Sequence, residues 1–500
     1  MSFFSLCTLC AAVTSAVSAA AVSTTASQQS CDIAIAGGGP GGIYFAWRLA
    51  TSGVKKSICI LERSERTGGR IYSLRKQGPK KDLVVDLGAY RYAPEPYVEG
   101  AWYIYTPLLG GLIDNKLKLK SKAYEPGKKA STVRKIVDAE GQNAGYSTFV
   151  EAMATQLAAY PNVRIQLNEE LQSIAPAAVP GGSDSNGAVL LTFTSGLTVS
   201  AAQVILNLPQ LPLLKVLDRS EALLRASGGM PPALQVPSPV DGVKLYVHYE
   251  NAWWANLLNL TSGEFGPDIH NVTTRPLRQL PDLSGRYHDG HTRCDGPSAQ
   301  SRCRGYLEAT YTYAMGARFF LNHEPRSEPP YTDLEYATPR GQFALDLVHG
   351  VLIDYHREAL ERLSRRTGRN ETAVVAALKP DSALLSYWGS QTPGFGAAIH
   401  MTRAGPLLSE HELAPSAMAP FGSQPIYVAN EAFGALRGSD GALGEHHGWA
   451  ECSLVMAENL LTGPFGLAPP EWVNASVYDE YVRFHTEPVE RARRGGWHQG

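Results

Sequence analysis

The chain has 500 residues, of which 44% are hydrophobic and 18% are charged, and its formal net charge is -2. A chain of this length and apolar content can bury a large core and form two or more domains. The nearly balanced charge gives no basis for nucleic acid binding, and the cysteine and histidine residues do not have the spacing of a zinc site.

The N-terminal segment carries no charged side chain before Asp32. Its apolar stretch followed by small residues predicts a secretory signal peptide over residues 1–21, and no later run predicts a membrane span. We therefore expect a protein that is secreted or lies in the lumen of the secretory pathway. Four Asn-X-Ser/Thr sequences are candidate N-glycosylation sites in such a compartment: Asn259, Asn271, Asn370 and Asn474.

The cysteines also bear on the compartment. Cys294 and Cys303 lie close together in a polar segment, and we expect that they can form a disulfide in an oxidising compartment. Cys59 lies in a predicted buried strand, where we expect a small core residue. The basic residues near the C-terminus predict a solvated end of the chain.

A strand, a glycine-rich turn and a helix come next in the chain. CDIAIA predicts a strand, PGGIYFAWRLATSG predicts a helix that stops at Gly53, and KSICILE predicts a second, parallel strand. Gly37, Gly39 and Gly42 have the G-x-G-x-x-G spacing, and Glu62 ends the second strand about 20 residues further on. Such glycines permit a tight turn and close approach to a pyrophosphate, while the acid can bind ribose hydroxyls. The pattern predicts a dinucleotide site.

The rest of the chain mixes strands and helices. Residues 146–160 predict an amphipathic helix, and VRIQLN, AVLLTFTSG and QVILNLP predict strands. Near the C-terminus, QPIYVANEAF predicts a buried strand and HHGWAECSLVMAENLL predicts a helix. We expect strands from both ends of the chain to belong to one sheet, which gives an α/β fold.

A second short motif distinguishes between dinucleotides. In ERSERTGGRIYS, Gly68 and Gly69 let the chain pass close to a flavin, and Arg70 can reach a phosphate or the ring. With this motif after the strand-end acid, the sequence resembles the flavin-containing amine oxidase superfamily. VILNLPQLPLLKVL, VKLYVHYENAWW and GWAECSLVMAENL resemble later segments of that family, so that the resemblance extends over most of residues 32–461.

The resemblance implies FAD as cofactor and a Rossmann-like FAD-binding domain with an interleaved mixed α+β substrate domain. The expected FAD-binding domain comprises residues 31–95, 145–240 and 420–465, and the expected substrate domain comprises residues 96–144 and 241–419. Residues 466–500 are expected to form a C-terminal extension. No cysteine or histidine stands in a recognisable flavin-attachment context, so we expect non-covalent FAD.

The acid that closes the flavin site departs from the pattern of the family. The family usually has a glycine before this acid, where the present chain has Asn430. Glu431 follows the strand directly and is the favoured closing acid, while Glu445 is the alternative. The departure leaves the contacts at this end of FAD open.

The substrate end contains three candidate residues. In the L-amino acid oxidases that the sequence resembles, an arginine in the context of Arg91 binds the substrate carboxylate, although a structural ion pair is the alternative. Lys244 aligns with the lysine that holds a water near flavin N5 in the family, and a lysine that extends along its strand to solvent is the alternative. Trp449 resembles the aromatic residue that flanks the flavin.

Other aromatic and histidine residues are weaker candidates. The pair Trp253 and Trp254 is predicted to lie in the core, whereas Trp388 precedes a segment that is expected to cross the flavin face. His446 and His447 are able to supply a base, but surface histidines in a polar loop are the simpler interpretation.

Two enzymatic reactions share these residues. An isomerase would bind the carboxylate of a polyunsaturated fatty acid and move its double bonds into conjugation by hydride removal and return. We favour this reaction because TPGFGAAIHM suggests a slot for an acyl chain, although these residues can equally reflect tight packing, and because the whole chain resembles the polyenoic fatty acid isomerases of red algae. A secreted L-amino acid oxidase that forms peroxide is the alternative, and a flavoprotein without catalysis is the third. In both reactions the expected binding partner is a small-molecule carboxylate substrate. The sequence leaves the oligomeric state open, and a homo-oligomer is one possibility.

Overall fold

The computed structural model describes residues 27–96, 104–123, 133–176, 188–266, 283–296, 302–401, 410–437, 443–444 and 448–484. The expected signal peptide, Asn271, Glu445, His446, His447 and the C-terminal basic residues lie outside these ranges. Among the described residues, no helix is both long and apolar enough to cross a bilayer.

The strands fall into two large sheets and several hairpins. In chain order they are β1 Gln28–Ala36, β2 Ile58–Leu61, β3 Ser73–Gln77, β4 Leu83–Asp86, β5 Ser121–Ala123, β6 Arg134–Ile136, β7 Val163–Gln166, β8 Leu171–Pro176, β9 Val189–Phe193, β10 Thr198–Leu206, β11 Ser238–Val240, β12 Gly242–Tyr249, β13 Glu264–Phe265, β14 Gly285–Cys294, β15 Cys303–Tyr313, β16 Thr332–Glu335, β17 Ser382–Trp388, β18 Ile399–Met401, β19 Ile426–Val428, β20 Leu436–Arg437 and β21 Leu443–Gly444.

The helices connect and cover these sheets. They are α1 Pro40–Thr51, α2 Pro107–Gly110, α3 Thr148–Leu157, α4 Gln210–Asp218, α5 Glu221–Ala226, α6 Trp253–Asn256, α7 Met315–Arg318, α8 Pro339–Thr367, α9 Glu371–Ala377, α10 Glu410–Met418, α11 Ala450–Thr462 and α12 Ala475–Val477. Short π-helical turns follow α2 and α12, and a 3-10 turn spans Glu431–Phe433.

The first sheet has seven strands in the order β7-β2-β1-β10-β9-β8, and β19 also pairs with β10. The pairs β7–β2, β2–β1, β1–β10 and β10–β19 are parallel, while β9 and β8 complete the sheet in antiparallel fashion. Helices α1, α3 and α11 pack together in the core of this sheet. The expectation that strands from both ends of the chain share one sheet is therefore confirmed.

The second sheet has six antiparallel strands in the order β13-β14-β15-β12-β17-β16. Its core packs against α8, and it includes Trp253 and Trp254, which are fully buried as predicted. A smaller apolar cluster joins the β3–β4 hairpin to this sheet through Leu87 and Trp388. Helices α2 and α10 come from the expected substrate domain, and the segment up to residue 482 comes from the expected C-terminal extension. Their buried side chains nevertheless belong to the core of the first sheet.

Two disulfides are present among the described residues. The predicted pair Cys294–Cys303 is confirmed, since it closes the β14–β15 hairpin. Cys59 is buried in β2 as predicted, but it is not a free core thiol, because it forms a disulfide with Cys31 across the neighbouring strands β2 and β1, with 6.1 Å between the Cα atoms. Sequence reasoning predicted these two parallel strands but did not pair their cysteines.

Candidate active site

A cavity of about 490 Å³ lies at the carboxyl ends of the parallel strands β1, β2, β10 and β19. These ends supply the glycine loop, Glu62, Asn207 and Glu431, all of which line the cavity. The second sheet contributes Lys244 on β12 and Trp388 on β17 to the lining of the cavity. Ligands of open parallel sheets bind at this edge, so the topology itself marks the site.

The glycine loop connects β1 to α1 at this edge. Gly37 has a φ of +101°, and a Cβ at this position would lie 2.5 Å from the carbonyl O of Asn207. A Cβ on Gly42 would overlap the carbonyl O of Gly37, so this position also excludes any side chain. Gly39 precedes Pro40, the first residue of α1, and lines the cavity. The helix N-terminus therefore faces the cavity and favours an anion there.

Glu62 stands at the end of β2 beside this loop. Its Oε2 accepts a hydrogen bond from the backbone N–H of Gly38 at 2.6 Å, and its Oε1 accepts bonds from the N–H and the hydroxyl of Ser64, both at 2.8 Å. The carboxylate is thereby fixed on the cavity wall next to the loop, where the ribose of a dinucleotide binds.

The second glycine motif packs on the first. Gly68 and Gly69 have φ values of +106° and +56°, which glycine adopts without strain. The N–H of Gly68 donates to the carbonyl O of Gly38 at 2.8 Å, and a Cβ on Gly69 would lie 3.4 Å from the Cα of Gly39. Gly69 and the following Arg70 line the cavity.

Arg70 and Glu431 form an ion pair on the cavity wall. Nη2 of Arg70 donates to Oε2 of Glu431 at 2.6 Å, and Nη1 donates to the carbonyl O of Ala398 at 2.8 Å. The structure therefore brings together the Gly-Gly-Arg motif and the favoured closing acid, which are 361 positions apart in the chain.

Sequence reasoning missed a histidine at this ion pair. His400 is fully buried, its Nδ1 lies 3.0 Å from Oε2 of Glu431, and its backbone N–H donates to Oε1 at 3.2 Å. The N–H of Gly448 also donates to Oε1, at 2.8 Å. Nothing local in the sequence distinguishes His400, because β18 reaches Glu431 only through the tertiary fold.

Lys244 also lines the cavity and is 2% exposed. Its Nζ donates to the carbonyl O of Gly88 and lies 3.4 Å from the carbonyl O of Asp86. The ammonium also stands 3.4 Å from the ring centre of Tyr90 and 4.8 Å from that of Tyr311. Burial lowers the pKa of Lys244 to about 7, and the charge of Glu308 opposes this shift. Lys244 therefore does not extend to solvent.

Arg91 lies behind this wall and is partly buried. Its guanidinium stacks over the ring of Tyr90 at 4.7 Å, while Tyr90 also stacks with Tyr311. The buried carboxyl of Asp289 has a pKa well above its usual value because of burial and of the charge of Glu308, and the charge of Arg91 opposes this shift. Arg91 thus belongs to a charged cluster beside the cavity, and its contact with a substrate carboxylate stays a prediction.

Aromatic side chains form much of the remaining wall. The indole N–H of Trp388 donates to the carbonyl O of Leu87 at 2.9 Å, and its ring meets Phe395 edge to face at 4.9 Å. Trp449, at the start of α11, is partly buried and also lines the cavity. Both tryptophans therefore stand on the cavity wall, and the contact of Trp449 with the flavin stays a prediction.

The glycines of TPGFGAAIHM do not open a slot. Gly394 and Gly396 have φ values of +74° and +72°, as tight turns require. A Cβ on Gly394 would overlap the guanidinium of Arg63, and a Cβ on Gly396 would lie 3.0 Å from Cβ of Leu211. Of the two alternatives for this segment, tight packing is the correct one for these glycines.

Three of the predicted glycosylation sites do not belong to the cavity lining. Asn259, Asn370 and Asn474 are exposed, and Asn370 and Asn474 cap the helices α9 and α12 with their side-chain oxygens. Exposure is compatible with a glycan, and glycosylation of these residues stays a prediction.

Comparison with known proteins agrees with this geometry. Residues 35–103 match the NAD(P)-binding Rossmann-like domain, and residues 97–319 match the flavin containing amine oxidoreductase family. Solved structures of putrescine oxidase, including the wild type bound to putrescine, share the fold: TM-scores are 0.51 to 0.53 at 12 to 13% identity, over 88% of this chain and 100% of theirs.

A curated relative matches a short part of the chain. Aplysianin-A from Aplysia kurodai is 39% identical over 75 residues, which is 13% of the length of each protein. The glycine loop, the Gly-Gly-Arg turn and the acids at two strand ends agree with these matches. Residues 97–319 are thus similar to the flavin containing amine oxidoreductase family, and the cofactor is FAD.

Proposed function

We propose that this protein removes a hydride from an apolar carboxylic acid, and that its reaction moves the double bonds of a polyunsaturated fatty acid into conjugation. One observation carries the proposal. Besides its charged and polar residues, the cavity wall contains a group of apolar and aromatic side chains: Leu87, Val243, Tyr311, Trp388, Phe395 and Ile399. A wall of this kind suits a hydrocarbon chain better than a short polar substrate.

The residues of this wall fix and desolvate the substrate. Trp388 is held by Leu87 and Phe395, so it offers a rigid surface for the acyl chain. The bound flavin supplies the hydride acceptor of the reaction. Burial keeps water away from the reacting carbon, and a carbon held in a fixed orientation reacts faster than a mobile one.

The isomerisation needs no other reactant. A hydride leaves a doubly allylic carbon, the double bonds shift along the delocalised chain, and the hydride returns at another carbon. The substrate is not oxidised overall and oxygen is not consumed. In this proposal Lys244 holds a polar group or water near the reacting atoms, and Arg91 binds the carboxylate of the substrate.

A second candidate is oxidation of an amine or an L-amino acid, with the electrons passed to oxygen as hydrogen peroxide. The match of residues 97–319 to the amine oxidoreductase family favours it. The lowered pKa of Lys244 also favours it, because a lysine that is partly neutral at neutral pH can take part in proton transfer beside an amine.

The decisive experiment separates the two reactions. The purified holoenzyme is incubated without oxygen with polyunsaturated fatty acids, and conjugated-triene absorbance is followed. A parallel aerobic assay measures peroxide from mixed L-amino acids and from diamines. Triene without oxygen supports the isomerase, whereas peroxide without triene overturns it in favour of the oxidase. If neither triene nor peroxide forms, both proposed reactions are overturned, and a flavoprotein without catalysis is left.

We also propose that the protein works in the secretory pathway or outside the cell. Two disulfides within the described residues support an oxidising compartment. Treatment of the secreted protein with an N-glycosidase is expected to lower its mass, and an intracellular protein of unchanged mass would contradict the proposal.

A further inference from the structure

A buried asparagine at the end of β10 occupies the centre of the glycine loop. Asn207 is 4% exposed and lines the cavity. A Cβ on Gly39 or on Gly42 would lie 3.0 Å from its Nδ2, and a Cβ on Gly41 would lie 3.1 Å from its Oδ1. The glycines of the loop thus pack around the side-chain amide of Asn207, which no motif in the sequence predicts.

A second asparagine continues from this amide to the closing acid. Nδ2 of Asn207 donates to the carbonyl O of Gly37 at 3.3 Å, and Nδ2 of Asn430 donates to Oδ1 of Asn207, also at 3.3 Å. Oδ1 of Asn430 accepts the backbone N–H of Ala432 at 3.0 Å. Two side-chain amides therefore connect the glycine loop to the segment that carries Glu431.

The orientation of both amides follows from their backbone partners. The carbonyl of Gly37 can only accept, so the NH₂ group of Asn207 must face it. The N–H of Ala432 can only donate, so the oxygen of Asn430 must face it. The NH₂ group of Asn430 then faces the oxygen of Asn207 and can donate to it. Every bond in the series therefore has a donor on one side and an acceptor on the other.

Each amide retains one N–H beyond this chain of bonds. An NH₂ group has two hydrogens, and Asn207 and Asn430 each use one of them in the bonds described. Both residues are at most 5% exposed and both line the cavity beside the first residue of α1. A buried N–H without an acceptor is unfavourable, so a ligand in the cavity that offers acceptors to these two groups is favoured.

We propose that Asn207 and Asn430 form an amide bridge that holds the glycine loop against the closing-acid segment and donates two hydrogen bonds to the pyrophosphate of FAD. The pyrophosphate is an anion at the N-terminus of α1, where the partial positive charge of the helix already favours it. The family usually has a glycine where this chain has Asn430, and the proposal gives this asparagine a role. The two asparagines are positioning residues for the cofactor and take no part in hydride transfer.

The test compares FAD dissociation constants of holoenzyme variants, measured from the fluorescence of released flavin. Asn430→Asp keeps the shape of the side chain but replaces the donor by a charge that repels phosphate. We expect it to weaken FAD binding by at least about tenfold. Asn430→Ala, which adds no charge, is expected to weaken binding less.

The matched control is a second amide pair that lies outside the cavity. Nδ2 of Asn256 donates to Oδ1 of Asn251 at 2.5 Å and also to the carbonyl O of Cys303 in the second sheet. Asn256→Asp removes a comparable donor, and FAD affinity is expected to stay within twofold of the wild type. An equal loss of affinity in this control would overturn the proposal, since it would show a general effect of lost stability.

A double-mutant cycle tests the bridge itself. If Asn207 and Asn430 act as one unit, Asn207→Ala combined with Asn430→Ala loses clearly less FAD affinity than the product of the single losses. Fully multiplicative losses would overturn the bridge. Affinities within twofold of the wild type in both Asn430→Asp and Asn207→Ala would overturn the phosphate contact. Asn430→Asp decides this even where Asn207→Ala folds poorly, because its side chain keeps its volume.

Discussion

Two parts of the cavity wall are built in different ways. At the nucleotide end, Gly37, Glu62 and Arg70 come from 34 consecutive positions, and backbone geometry shapes the wall. In the part that belongs to the second sheet, Lys244, Tyr311 and Trp388 come from three strands, and their side chains form the wall. The first part is encoded locally, whereas the second depends on how distant segments meet.

This difference explains how much of the function of each part could be predicted from the sequence. A loop that approaches a phosphate requires glycine at fixed spacing, so the sequence indicates the cofactor. A substrate wall requires only shape and polarity, which many combinations of residues provide. The cofactor is therefore established, while the substrate is a proposal.

The largest effect is expected at the nucleotide end. Gly42→Val should abolish FAD binding, because any Cβ at this position overlaps the carbonyl O of Gly37. The measurement is the ratio of flavin to protein after purification. The control is Gly53→Ala at the end of α1, where nothing lies within 4 Å of an added Cβ and where a positive φ costs only about 1 kcal/mol of stability. Normal flavin content in Gly42→Val would contradict the assigned role of the loop.

The next effect is expected at Lys244. Lys244→Met should leave flavin content unchanged and slow flavin reduction by the substrate by about 100-fold or more. Since the pKa of Lys244 is about 7, the ammonium predominates below this pH and the neutral amine above it. The absorption spectrum of bound FAD should therefore change with a midpoint near pH 7 in the wild type and not in the variant.

Lys135→Met is the matched control for this prediction. Burial also lowers the pKa of Lys135, to about 8, but its Nζ donates to the carbonyl O of His288 and it does not line the cavity. The spectral change near pH 7 should persist in this variant. A change that persists in Lys244→Met as well would place the titrating group elsewhere.

A smaller effect is expected at Arg91. If it binds the carboxylate of the substrate, Arg91→Gln should raise KM by about tenfold or more and change kcat little. Steady-state kinetics with the acid and with its methyl ester measure this, because the ester should not distinguish the variant from the wild type. Arg293→Gln, on β14 and outside the cavity lining, is the control. A variant with unchanged KM but a lower free energy of unfolding would indicate a structural ion pair instead.

The smallest effect on the site is expected from the disulfides. Cys31–Cys59 closes a span of 28 residues and Cys294–Cys303 one of 9. Chain entropy alone predicts losses of roughly 3 to 4 kcal/mol for the first and about 1 kcal/mol less for the second when both cysteines become serine. Urea midpoints of the two double variants measure this difference. A larger loss from the shorter span would contradict the prediction.

Sequence reasoning succeeded where a local pattern determines a local structure. It predicted the unit β1–α1–β2, and α1 ends at Thr51, just before Gly53. It did not pair Cys59 with Cys31, although both lie on strands of this predicted unit. It missed His400, because β18 reaches Glu431 only through the fold. It left Asn430 unexplained, since its contact with Asn207 spans 223 positions.

The sequence by itself determined the FAD cofactor and the parallel β1–α1–β2 unit, because the glycine spacing and the strand-end acid allow few alternatives. The tertiary structure alone decided that Glu431 pairs with Arg70 and His400, that Lys244 is buried on backbone carbonyls, and that Gly394 and Gly396 serve packing. These features depend on contacts between distant strands. A local pattern carries no information about which distant side chain fills the neighbouring space, and packing of the whole chain supplies it.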